Sequence, residues 1–178
     1  MNAIVIYKSK TGFTKKYADW ISEELGCPSL PYGEFKSEMI HDYDLIIFGS
    51  RIHAGKIDGF SKFKRVLGEG SSAKLVVFAT GATPAAVEDT IDIIWKTNLS
   101  EAERKDIPHF YLQGGLNYEK MGVGDRFIMK TLSKMLSKKK AKKPEQSGCE
   151  AAITSSHDIS SKDFIKPLIE CIAGMMRI

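Results

Sequence analysis

Three short apolar runs, at residues 3–7, 43–49 and 74–80, constrain the fold of this chain more than any other feature. They are continuous rather than alternating, as in AIVIY, DLIIFG and KLVVFAT. A strand that is apolar on both faces must be covered on both faces, which is typical of parallel sheets with helices on either side. The runs therefore predict the buried strands of an α/β fold.

Segments with helical spacing separate these strands. The first carries its apolar positions before Gly26, and similar patterns cover 60–67 and 85–97. A weak strand at 29–30 lies between two prolines, which suits only a sheet edge because proline cannot donate to a ladder, and 107–112 forms the last strand. We therefore predict a doubly wound five-stranded parallel sheet of order 2-1-3-4-5, with ligands beyond the carboxyl ends of the strands.

The length of 178 residues predicts a single domain over 1–178. An insertion at about 113–156, with a helix near 124–138, precedes a closing helix from Ser161 that has Pro167 near its first turns. Ser100 and Glu103 form a capping-box signature for a short helix after 85–97.

The composition, 43% hydrophobic and 27% charged, is that of a soluble globular protein, and no apolar run approaches the roughly 20 residues of a membrane span. The first residues form a strand rather than a signal peptide, so we expect a cytoplasmic location. The three cysteines, Cys27, Cys149 and Cys171, follow no metal-binding spacing, and we expect no metal site.

A turn rich in hydroxyl groups follows the first strand: Ser9, Lys10, Thr11, Gly12, Phe13 and Thr14. Its amides and hydroxyls can surround a phosphate at the N-terminus of the next helix. The chain lacks the GxxxxGK[ST] loop of nucleoside triphosphatases and the GxGxxG dinucleotide pattern, and the turn has no carboxylate for magnesium and no cysteine. A terminal monophosphate that is bound and kept fits this turn best.

This turn resembles the S/T-x-T-G-x-T turn with which flavodoxins hold the phosphate of FMN. The resemblance implies a flavodoxin-like fold, FMN as cofactor, and two loops around the flavin ring, after the third and fourth strands. The first consists of Ser50, Arg51, Ile52, His53, Ala54, Gly55 and Lys56, and the second of Thr80, Gly81, Ala82, Thr83 and Pro84. Neither contains the Trp or Tyr that many flavodoxins stack on the ring, so His53 or Ile52 would take that place.

Arg51, His53 and Lys56 also bear on the reduction potential. Positive charge near the flavin stabilises its anionic reduced form, so we predict a less negative potential than that of an electron-donating flavodoxin. The alternative is that these side chains point into solvent. No side chain is assigned as a catalytic acid or base; His53 and Tyr118 are candidates by position only.

The insertion is similar to that of the flavodoxin-like, quinone-linked protoporphyrinogen IX dehydrogenases, in which a GxLxY stretch precedes a DRFxxK helix. The matching residues are Gly114, Leu116, Tyr118, Asp125, Arg126, Phe127 and Lys130. This resemblance implies oxidation of a reduced tetrapyrrole, with the electrons passed through FMN to a membrane quinone.

Residues 126–143 contain eight cations and no acid. Such a basic amphipathic segment can contact an anionic membrane or dock an acidic redox partner, while the alternative is that its apolar face packs on the domain and its lysines are solvated. Nucleic acid is not expected, because no aromatic platform accompanies the lysines. Three functions stay open: an FMN electron carrier with a redox partner protein or quinone, the dehydrogenase, and a non-enzymatic docking module.

Overall fold

The computed structural model describes residues 2–68, 71–117, 119–120, 122 and 156–176. The chain divides into two compact units, Met1–Gly114 with Ser160–Ile178, and Gly115–Ile159. The larger unit contains the sheet and all of the described α-helices. The smaller unit nearly coincides with the predicted insertion.

The main sheet has the predicted strand order. Its strands are β1 (Ala3–Lys8), β2 (Ser29–Pro31), β3 (Leu45–His53), β5 (Lys74–Gly81) and β6 (His109–Gln113), and they pair in the order β2-β1-β3-β5-β6. Each of these pairings is parallel. A two-residue strand, β4 (Lys56–Ile57), pairs antiparallel with the end of β3. The doubly wound α/β fold predicted from the apolar runs is confirmed.

Helices cover both faces of the sheet. Successive residues of a strand point to opposite faces, so neighbouring residues of β1 pack against different helices. Val5 and Tyr7 face α1 (Phe13–Leu25) and α5 (Lys166–Met176), whereas Ile4 and Ile6 face α2 (Phe60–Leu67) and α3 (Glu88–Asn98). The N-termini of α1 and α2 therefore lie on opposite faces, although both helices begin near the carboxyl ends of parallel strands.

Several element boundaries differ from the sequence prediction. The helix predicted from residue 85 begins at Glu88, because the amide of Val87 donates to the carbonyl of Pro84 and closes a turn there. The short helix α4 (Glu101–Asp106) carries the predicted capping box. A 3-10 turn, Lys162–Ile165, precedes α5, so Pro167 lies in the first turn of that helix, where its missing amide costs nothing. A further 3-10 segment, Ser37–Asp42, was not predicted.

In the smaller unit, the structure describes residues 115–117, 119–120, 122 and 156–159, and β7 (Gly115–Leu116) pairs antiparallel with β8 (His157–Asp158). A Cβ on Gly115 would lie 1.9 Å from the carbonyl oxygen of His157, so this pairing requires glycine. The predicted helix near 124–138, the basic segment 126–143, Tyr118 and Cys149 lie outside the described residues. Among the helices that are described, none has the length and apolar character needed to cross a membrane.

Candidate functional site

The turn Ser9–Thr14 connects the end of β1 to the start of α1. Gly12 has φ 101° and ψ −24°, a conformation that a residue with a Cβ adopts only under strain, and it precedes the first residue of α1. Its amide donates to the Ser9 hydroxyl at 3.2 Å, while its carbonyl accepts the first helical hydrogen bond, from the amide of Lys16, at 3.0 Å. The hydrogen bond to the Ser9 hydroxyl therefore holds the residue that immediately precedes α1.

The N-terminus of α1 is electropositive. No side chain within the described residues caps it, and its first turn has no acidic residue. The amides of residues 13–15 have no acceptor inside the helix, because the first i to i−4 hydrogen bond is the one donated by Lys16. These amides and the helix dipole favour an anion at this position.

Thr14 joins the turn to the neighbouring part of the site. Its side chain is buried, and its hydroxyl lies 2.7 Å from the hydroxyl of Thr80, which is also buried at the end of β5. Either hydroxyl can donate to the other. The structure thus brings the predicted turn 9–14 and the predicted loop 80–84 together through a buried polar contact.

The segment after the third predicted strand is a hairpin rather than the loop that we predicted. β3 continues through Ser50, Arg51, Ile52 and His53, and Ile52 and His53 pair with Ile57 and Lys56 of β4. The connecting residues, Ala54 and Gly55, have φ values of 49° and 78°. Two consecutive positive φ values give a tight hairpin turn whose twist matches that of the strands, which explains why the strand extends so far.

Asp58 anchors this hairpin. Its amide donates to the carbonyl of Arg51 at 3.0 Å, and its own carbonyl accepts from the buried Ser50 hydroxyl at 2.7 Å. Its carboxylate accepts from Lys8 at 2.8 Å and lies 3.5 Å from Nε of Arg51. Ser50 thus supports the backbone of the hairpin.

The Asp58 carboxyl group stays ionised. Partial burial by itself would raise its pKa, but the hydrogen bond from Lys8 and the charges of Lys8 and Arg51 outweigh burial, and the pKa is lowered. Two cations thus share one anion at the carboxyl ends of β1 and β3, and one positive charge remains.

The end of β5 packs against Tyr111 of β6. A Cβ on Gly81 would lie 2.8 Å from the Tyr111 hydroxyl and 3.4 Å from Cδ1 of Ile52, so glycine permits this close approach. The Tyr111 hydroxyl donates to the carbonyl of Thr83 at 2.7 Å. Burial raises the pKa of Tyr111 to about 12, so the phenol remains a neutral donor that fixes the predicted second loop.

The larger unit therefore gathers the three predicted segments at one edge of its sheet. Ser9, Thr11, Gly12, Phe13 and Ile52 are half-buried there, whereas Lys10, His53 and Ala54 are exposed. Sequence reasoning missed Lys8, Asp58 and Tyr111. Lys8 and Asp58 are 50 positions apart, so their contact has no local signal, and Tyr111 lay inside a strand assigned only to the core.

An open α/β sheet binds its ligands at the carboxyl ends of its strands, and an uncapped helix N-terminus there is an arrangement in which many α/β proteins hold a phosphate group. The comparisons with known proteins specify the family. Residues 4–143 match the family model described as Flavodoxin domain. This match covers most of the chain, which therefore belongs to the flavodoxin domain family.

Solved structures with similar folds include three flavoproteins. A flavodoxin from the domain Archaea is 17% identical, with 64% of this chain and 85% of that chain covered and a TM-score of 0.38. Oxidised flavodoxin 1 from Bacillus cereus is 19% identical, with 67% and 89% covered and a TM-score of 0.41. A flavoprotein in complex with FMN from Lactobacillus acidophilus NCFM is 16% identical, with 63% and 91% covered and a TM-score of 0.41. None of the curated proteins compared with this chain matches it.

Proposed function

We propose that this protein binds FMN and transfers electrons through it. The observation that carries the proposal is the uncapped N-terminus of α1 behind Gly12 and the Ser9 hydroxyl, in a chain of the flavodoxin domain family. A phosphate at this position would accept hydrogen bonds from the free amides of the first turn. Bound FMN would supply the reversible uptake and release of electrons.

The residues of the site fit the parts of FMN. The turn Ser9–Thr14 would hold the phosphate, and the Thr14–Thr80 contact would keep the turn beside β5. The flavin ring would lie between the hairpin residues Ile52 and His53 and the loop at Ala82 and Thr83. The hydrogen bond from Tyr111 to the carbonyl of Thr83 holds that loop.

The charges of the site favour a less negative reduction potential than that of an electron-donating flavodoxin. Arg51 and Lys8 both contact Asp58, which removes part of their positive charge, and Lys56 adds a further cation on β4. The remaining charge is positive and stabilises an anionic reduced flavin. Replacing Arg51 and Lys56 by alanine should therefore lower the midpoint potential, and an unchanged potential would contradict this part of the proposal.

The direct experiment is an absorbance spectrum of the purified full chain, followed by release and quantification of the flavin. The proposal predicts a yellow protein that binds FMN at one molecule per chain after reconstitution. A redox titration of the same sample then gives the potential. A chain that takes up no FMN would leave the non-enzymatic docking module, in which the basic segment 126–143 binds a partner, as the surviving hypothesis.

A quinone-linked protoporphyrinogen IX dehydrogenase is the second candidate, and the position of Gly114 favours it. The amide of Gly114 donates to the carbonyl of Gly81 at 2.8 Å, and a Cβ on Gly114 would lie 3.2 Å from Cβ of Phe13. The GxLxY stretch therefore starts against the phosphate turn and the end of β5.

Two assays separate the dehydrogenase from the carrier. The dehydrogenase should oxidise protoporphyrinogen with a soluble quinone as acceptor, and should need bound FMN to do so. The carrier should show no such activity and should instead be reduced by a flavodoxin reductase. Loss of turnover in the FMN-free protein is the control for the first assay.

A further inference from the structure

A groove of about 530 Å³ lies between the β3–β4 hairpin and the first turn of α2. We call it the hairpin groove; it is lined by the charged residues Arg51, Lys56, Asp58 and Lys62, and by His53. Its size falls within the range of small-molecule sites, roughly 300–1,000 Å³. It therefore has room for a metabolite-sized ligand.

The hairpin groove includes no residue of the phosphate turn, Ser9–Thr14, although Asp58 of the groove contacts Lys8, which precedes that turn. It is bordered by α2, whose buried residues Phe60 and Phe63 pack on the face of the sheet that carries Ile4 and Ile6. The phosphate turn leads into α1, which packs on the opposite face. A ligand of the groove would not occupy the position proposed for the FMN phosphate.

The groove is strongly cationic. Lys56 on β4 and Lys62 on α2 are exposed, and neither forms an ion pair with any carboxylate in the described part of the chain. The single carboxylate of the groove, Asp58, is already bound by Lys8, which approaches it at 2.8 Å. Asp58 therefore does not cancel the charges of Lys56 and Lys62.

The backbone at the groove adds to this positive potential. Gly59 precedes α2 and provides no side-chain cap, and the first turn of α2 contains no acidic residue. The amide of Phe63 makes the first helical hydrogen bond, to the carbonyl of Gly59, at 3.0 Å. The amides before it point out of the helix beside the two lysines, where the helix dipole has its positive end.

We infer that the hairpin groove is a second anion site, which binds small molecules carrying two or more carboxylate or phosphate groups. Lys56 and Lys62 lie on different elements, so two anionic groups of one ligand can each meet a cation. Arg51 at the start of the hairpin contributes a planar guanidinium, a geometry suited to carboxylate and phosphate oxygens. The groove adjoins the position proposed for the flavin ring, because His53 borders both, but it includes no residue of the turn proposed to hold the FMN phosphate.

The test is a titration of the FMN-saturated full chain with citrate and, separately, with pyrophosphate, followed by amide chemical shifts. Saturation with FMN blocks the phosphate turn. We expect shifts at Lys56, Ser61 and Lys62, with a dissociation constant of about 1 mM or tighter at low salt that weakens as salt is added. The tighter of the two probes identifies carboxylate or phosphate as the preferred group.

Variants locate the binding in the groove. Lys56→Gln with Lys62→Gln should weaken binding about tenfold, since two charge contacts of exposed groups are lost. Lys56→Arg with Lys62→Arg should bind like the parent protein. Lys74→Gln is the remote control, because Lys74 is the first residue of β5 and the groove lies beyond the other end of the parallel strands.

The inference is overturned if neither probe shifts the groove amides, or if the double glutamine variant binds as tightly as the parent. Shifts confined to residues 9–14 would also overturn it. A chain that takes up no FMN but binds citrate in the groove would disprove the proposed function and leave the second anion site standing.

Discussion

α1 and α4 differ in whether side chains accept hydrogen bonds from the free amides at the helix N-terminus. At α4 the Ser100 hydroxyl accepts from the amide of Glu103, and the Glu103 carboxylate accepts from the amide of Ser100 at 2.7 Å. At α1 the preceding residue is Gly12, no described side chain caps the helix, and the first turn has no acid. One helix satisfies its own free amides, and the other leaves them available.

The position of each helix explains the difference. α4 leads into β6, and its capping box stabilises the helix by about 1 kcal/mol. α1 starts at the carboxyl end of β1, where ligands bind in open α/β sheets. In the proposed function, the phosphate of FMN would take the place of the cap that α1 lacks among the described residues.

The largest expected effect comes from Gly12→Ala. At φ 101° an added Cβ strains the turn, and the strain displaces the amides that would hold the phosphate. We expect FMN affinity to fall about 100-fold, or roughly 3 kcal/mol of binding free energy, and stability to fall by about 1–2 kcal/mol. Fluorescence titration with FMN and urea unfolding measure the two quantities.

Gly26→Ala is the matched control, because Gly26 ends the same helix with φ 62° and has open space around it. It should cost a similar amount of stability and leave FMN affinity within about twofold of the parent value. Equal losses of affinity in both variants would mean that Gly12 acts through α1 as a whole and not through the phosphate turn.

Thr14→Val tests the buried contact between the turn and β5. The substitution keeps the shape of the side chain but leaves the buried Thr80 hydroxyl without its partner, so stability should fall by about 1–2 kcal/mol. Thr14→Val with Thr80→Val removes both hydroxyls and should cost less than the sum of the single changes. Additive costs in urea unfolding would show that the two hydroxyls do not depend on each other.

Ser100→Ala removes the cap of α4. Unlike Gly12→Ala, it changes a helix start that is not part of the proposed FMN site. We expect stability to fall by about 1 kcal/mol, because the amide of Glu103 loses its acceptor. FMN affinity should not change. A loss of affinity here would contradict the view that the two helix starts serve different purposes.

Asp58→Asn has the smallest expected effect on stability, about 0.5–1 kcal/mol at pH 7, since the pair with Lys8 is partly exposed. Because the pKa of Asp58 is lowered on folding, its stabilising contribution is complete above the unfolded pKa and is lost as pH falls through the folded pKa. The difference between parent and variant should therefore shrink below about pH 4. Unfolding curves from pH 7 to pH 2.5 measure it.

The same variant should raise the midpoint potential of bound FMN, because Lys8 and Arg51 lose their shared anion. An unchanged potential would show that these cations lie too far from the flavin to influence it.

The buried strands were predictable because their apolar runs indicate burial on both faces, and their order was predictable because the prolines around residues 29–30 place the second strand at a sheet edge. The hairpin was not, since Arg51 and His53 look like loop residues and Ala54 gives no sign of its positive φ. Antiparallel pairing with Lys56 and Ile57 determined the outcome. The turn at Ser9–Thr14 could be predicted from the local sequence, whereas the contacts of Asp58 and Thr80 depend on tertiary structure.

The affinity of the parent protein for FMN relative to riboflavin tests the central claim most directly. Riboflavin has the same ring but no phosphate, so it cannot engage the amides at the start of α1. The account predicts that riboflavin binds at least about 100-fold more weakly than FMN, and that Gly12→Ala reduces this ratio. Equal affinity for the two flavins would show that the turn Ser9–Thr14 does not bind the phosphate and would contradict the account.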